Sequence, residues 1–162
     1  KAKEIEKVVA SLIEFIRDSE LPHADDVDLE LMEGKFVEMM TNAKEITSYI
    51  VSASRPNTPY DYAMENAVFI KTAAFELLGD SAYIEELGFK DIDYLDLLYD
   101  EIEALRVLFV DWIETFPRWR YGSDNEWNLF NPEGIDIIYL NQNDNIDEDD
   151  EYEDDDIDDD DI

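Results

Sequence analysis

An all-α fold, an antiparallel up-down-up-down four-helix bundle with an aromatic C-terminal extension and an acidic tail, is what this sequence predicts. Three observations predict it. Two long segments place apolar residues alternately three and four positions apart, two shorter segments repeat the helical pattern, and Pro- or Gly-bearing breaks separate all four. Strand-like runs are nearly absent, with Ile135 to Leu140 the only candidate.

The first predicted helix runs from about Lys3 to Ser19. Ile5, Val8, Val9, Leu12, Ile13 and Ile16 fall on one face, while Glu4, Lys7, Glu14 and Arg17 fall elsewhere. Pro22 disfavours helical geometry at Leu21 and interrupts the pattern. A second helix opens near Asp26 or Asp28, where carboxylates suit the positive end of a helix dipole. Its seam is Leu29, Met32, Phe36, Met39, Ala43, Ile46, Ile50 and Ala53, a heptad alternation about 36 Å long. Gly34 lies within it at a cost of up to about 1 kcal/mol relative to Ala.

Arg55 to Pro59 ends that helix. Thr58 is the expected N-cap of the third, with Pro59 in the first helical position and Asp61 completing a box-like arrangement. Ala63, Ala67, Ile70, Ala73, Ala74 and Leu77 face inward, and an alanine-rich face admits a neighbouring helix closely. Gly79 is the expected residue just past the end of this helix, followed by a loop over residues 80–90 with one helical turn around Tyr83 to Leu87. The fourth helix spans about Asp91 to Phe116 on the seam Leu95, Leu98, Ile102, Leu105, Phe109, Trp112 and Phe116, and Pro117 ends it. Leu97, Leu108 and Ile113 broaden the stripe, as expected of a helix covered by two neighbours.

The organisation that follows is a bundle over residues 1–116, an aromatic extension over 117–140 and an acidic low-complexity tail over 141–162. The extension concentrates Trp119, Tyr121, Trp127 and Phe130 near Arg118 and Arg120. Such a density of aromatic surface calls for cover, either by folding back on one end or groove of the bundle or by a partner. The tail holds fourteen acidic residues and no basic one, and is expected to be disordered when free.

Charge narrows the partners. Forty-four acidic against 12 basic residues give a net charge of −32, of which −18 belongs to residues 1–140. Lys and Arg supply most nucleic-acid affinity by neutralising phosphates, so direct nucleic-acid binding is not expected, nor is binding to anionic membranes. A basic protein or polycation is the expected partner, with weak divalent-cation association along the tail. Candidate partner-binding residues are Arg118, Trp119, Arg120, Tyr121, Trp127 and Phe130 in the extension, with Asp149, Asp150, Asp154 and Asp155 in the tail.

No motif assigns an activity. The chain has no cysteine and one histidine, His23, in a loop. A ferritin-like dimetal site needs two Glu-x-x-His pairs and is therefore not predicted. Its five glycines are too scattered for a phosphate loop, no Gly-x-Ser-x-Gly elbow occurs, and no glycine after Gly134 makes the turn of a calcium loop. No catalytic residue, cofactor or metal ligand is assigned. The leading expectation is a non-enzymatic binding or adaptor module engaging a basic partner, with DNA mimicry as a narrower form. A carboxylate-based metal-dependent enzyme and a structural helical oligomer subunit are the alternatives, and the sequence leaves oligomeric state open. No run approaches the roughly 18 apolar residues of a membrane span, and the cytoplasm is the expected compartment. A leader removed ahead of Lys1 would leave no trace in this sequence.

Overall fold

Four helices form where the apolar periodicity places them: α1 (Ala2–Arg17), α2 (Asp26–Ala53), α3 (Tyr60–Glu86) and α4 (Ile92–Glu114). The computed structural model describes residues 1–118, and no strand occurs among them. No helix among the described residues is long and apolar enough to cross a membrane. The Ile135 to Leu140 strand candidate, most of the extension and the whole tail lie outside the described residues.

Each helix packs on the next, and α4 closes the ring on α1. Contacts along each seam run in opposite chain directions. Arg17 meets Glu33 and Glu6 meets Thr47 between α1 and α2. Tyr83 meets Asp28 and Phe69 stacks on Tyr49 between α2 and α3. Tyr94 stacks on Phe15 and Glu101 pairs with Lys1 between α4 and α1. Phe116, just past α4, is buried with Tyr60 and Ala63 at the start of α3.

The interior is the one the seams specify. Ile5, Val9, Leu12, Met39, Ile46, Ile70, Leu77 and Leu98 are essentially inaccessible to solvent. Burying each such side chain stabilises the fold by about 1.5–3 kcal/mol. The α2–α3 pair is the most extensively packed, as the alanine face Ala63, Ala67 and Ala73 allows, and α3–α4 is the least. Four polar residues are buried among those described: Asn42, Asn66, Asp80 and Ser81. Asn66 and Ser81 donate to carbonyls one turn back in their own helix.

The start of α2 is secured by a reciprocal cap. Asp25 accepts from the backbone amides of Val27 and Asp28, and the Asp28 carboxylate accepts from the amide of Asp25. The predicted cap on α3 is different. Thr58 donates its hydroxyl back to the Arg55 carbonyl and leaves α3 without a side-chain cap.

Two further expectations are corrected. α3 does not stop at Leu78; it runs through Gly79 to Glu86, and the expected loop over 80–90 shrinks to a short connection. Ser81 and Ile84 bury themselves on the same face as Leu77, and that packing outweighs the propensity cost of one glycine. The glycine that does end the segment is Gly88, at φ +88, where an added Cβ would sit 3.0 Å from His23 Nδ1 and Pro22 Cγ. The stripe on α4 is also narrower than expected. Leu97 is exposed, and so is Leu108, 54% accessible, because both lie on a side of α4 that its neighbouring helices leave uncovered. Leu29, the first residue of the α2 seam, is likewise exposed.

Candidate functional site

Antiparallel packing gathers four separate acidic stretches at one end of the bundle. The end of α1 and the start of α2 (residues 17–36) lie beside the end of α3 and the start of α4 (residues 80–97), as Tyr83–Asp28, Lys35–Asp80 and Phe15–Tyr94 demonstrate. Those stretches hold thirteen acidic residues against Arg17, Lys35 and Lys90, a formal −10. The opposite end, residues 1–10, 40–68 and 98–118, holds ten acidic residues against seven basic ones, a formal −3. One pole of the folded body is strongly anionic and the other only weakly so.

Some of these carboxylates have structural duties. Asp25 and Asp28 cap α2, Glu33 pairs with Arg17 at 2.7 Å, and Asp80 accepts from Lys35 at 2.9 Å. Arg17 also lies over the Phe36 ring. The Tyr83 hydroxyl donates to Asp28 at 2.6 Å. That bond, aided by the Asp25 amide, holds the Asp28 carboxyl below its usual range and raises the Tyr83 phenol. Asp80 first and Glu38 second raise the Lys35 ammonium.

Other carboxylates at this pole do no such work. Asp18, Glu20, Glu30, Glu85, Glu86 and Asp96 are exposed and make no ion pair among the described residues. Glu85 and Glu86 sit in the last turn of α3, where the helix dipole is negative and no basic side chain offsets it. Their placement opposes helix stability.

His23 also lies at this pole. Its backbone amide donates to Leu87 and its ring Nδ1 lies 3.2 Å from the Glu86 carbonyl, so it joins the α1–α2 connection to the end of α3. Among the described residues no three of His, Cys, Asp and Glu converge in a geometry that could hold a metal ion. The single buried carboxylate on the described helices, Asp80, is already committed to Lys35.

Of the sequence-predicted site residues, Arg118 is exposed just beyond α4. Trp119, Arg120, Tyr121, Trp127, Phe130, Asp149, Asp150, Asp154 and Asp155 lie outside the described residues. The structure gathers a carboxylate-rich pole that those residues did not include. Its signal was present in the sequence as acid density over residues 18–33 and 80–96, but sequence spacing alone does not place two stretches fifty residues apart on one pole. Comparison with known families, with curated proteins and with solved structures finds no match.

Proposed function

We propose that this protein is a non-enzymatic helical binding module whose anionic pole and acidic tail engage a basic protein segment or polycation. The observation that carries the reading is the charge asymmetry of the folded body, −10 at one end against −3 at the other. A focused negative potential attracts and orients a cationic partner over about a Debye length. The fourteen carboxylates of residues 141–162 extend the same sign along the chain. Helix-terminal Glu85 and Glu86, exposed and without an ion pair among the described residues, are the residues this reading assigns to such a partner.

A fluorescently labelled Lys/Arg-rich peptide, titrated with the full-length protein in about 0.05 M and 0.5 M NaCl, tests this reading. Binding should weaken by about tenfold or more at the higher salt, as expected where several charge pairs form. The quadruple variant Glu20→Gln, Glu30→Gln, Glu85→Gln, Glu86→Gln should weaken it further in the low-salt buffer. Binding indifferent to salt, or equal in the quadruple variant, would remove the anionic pole from the explanation.

A further inference from the structure

The body carries a second feature unrelated to the anionic pole. Between α3 and α4, the least tightly packed pair, lies an open apolar groove of about 370 Å3. Its floor includes Ile70, Ala74, Ile102 and Phe109, and its rims include Phe75 and Tyr99, which are 62% and 58% exposed. Two cations, Lys71 and Arg106, flank it. Arg106 is bound to Glu103, while Lys71 lies over the Phe75 ring and has no ion pair among the described residues. A volume of this size lies in the range of ligand-binding clefts and holds large side chains.

We propose that this groove is the seat of the chain's own segment Trp127-Asn128-Leu129-Phe130, with Trp127 and Phe130 as its anchors. Three observations select that occupant. The first is reach. The nearest wall, Val110, lies six residues before Phe116, about 9 Å of helix, and the far wall, Tyr99, about 26 Å. Trp127 follows Phe116 by eleven residues, enough extended chain for about 36 Å, so the segment can turn back and enter at any level. The second is composition. Trp127, Leu129 and Phe130 are apolar surface requiring cover, and Glu126 and Glu133 bracket them with charge of the sign Lys71 attracts.

The third is charge balance against the rival occupant. Seating a second copy brings together two chains of −32 each, whereas a tethered segment adds no charge to the molecule. Tethering also gives the segment a millimolar effective concentration, so weak apolar contacts suffice. Docking there covers the exposed rims Phe75 and Tyr99 on the α3–α4 seam.

The chain contains no cysteine, so an introduced pair is unique. In the full-length protein, Ala74→Cys with Asn128→Cys should oxidise to an intramolecular disulfide about tenfold faster than Ser48→Cys with Asn128→Cys, whose first position is exposed on α2. Arg106→Cys with Asn128→Cys approaches the groove from its other wall and should show the same advantage. Adding Trp127→Ala and Phe130→Ala should abolish it. A disulfide between two molecules would assign the groove to a second copy. Equal rates in groove and control pairs, or an advantage that survives loss of both aromatics, would also overturn the proposal.

Discussion

Lys35→Met breaks the one ion pair among the described residues that joins a buried carboxylate to its partner helix. Lys35 Nζ lies 2.9 Å from Asp80 Oδ1, with the Asp80 side chain 9% and the Lys35 side chain 37% exposed. At that distance the gross attraction is about 6 kcal/mol at an effective dielectric of 20 and about 1.4 kcal/mol in bulk water. Desolvation of Asp80 offsets part of it, and the half-open position of Lys35 lowers it further. Fully buried pairs lose about 3–5 kcal/mol when one partner is removed, and exposed pairs about 0–1 kcal/mol. A loss of about 2 kcal/mol is the outcome this geometry implies. Urea unfolding followed by helical circular dichroism measures it, with Asp80→Asn and the double variant completing a cycle. The coupling energy should be about 1–2 kcal/mol, so the double variant is more stable than the sum of single losses allows. A Lys35→Met protein within about 0.5 kcal/mol of the native chain, or zero coupling, would refute the claim that Lys35 compensates a buried charge. The native pair should also weaken at alkaline pH. Asp80 raises the Lys35 ammonium above its unfolded value, so its contribution is complete below about pH 10 and disappears as pH rises through the folded value.

Three other outcomes follow from the same structure. Gly79→Ala should stabilise the protein by up to about 1 kcal/mol, because Gly79 is inside α3 and its added Cβ meets nothing within 4 Å; Gly88→Ala should destabilise it, and thermal melts that reverse this order would contradict the observed end of α3. Tyr83→Phe should cost stability near neutral pH but not in acid. The Tyr83 hydroxyl lowers the Asp28 carboxyl, so the contribution is full above about pH 4 and vanishes as pH falls through the folded value; unfolding curves of native and variant proteins that stay equally far apart down to about pH 2 would show another cause. Finally, a body with this charge should repel itself, so the melting temperature should be higher in about 0.5 M than in about 0.02 M NaCl, and a flat or falling response would mean that ion pairs such as Arg17–Glu33 outweigh the repulsion.

Much of the fold was legible because helix burial follows a local period. The seams of α2 and α4 mark Met39, Ile46, Leu98 and Ile102 as interior before any coordinate is known, and all four are buried. Errors arose where local chemistry met a tertiary neighbour. Gly79 reads as a stop signal on its own, yet Ser81 and Ile84 pack inward beyond it and carry α3 onward. Leu108 reads as buried by period, yet it lies on a side of α4 that no neighbouring helix covers. Thr58 has the right chemistry for a cap, but its hydroxyl finds the Arg55 carbonyl instead.

The sequence by itself determined the helical class, the inward faces and the sign of the charge, since each depends on residues a few positions apart or on composition. Only the tertiary structure decided where that charge concentrates and where apolar surface stays open. Whether Asp18, Glu30, Glu85 and Asp96 share one pole, and whether Phe75 and Tyr99 line one groove, depends on which helix ends meet. That is fixed by the antiparallel closing of the ring, through contacts such as Tyr83 with Asp28 and Phe15 with Tyr94, between residues more than fifty positions apart.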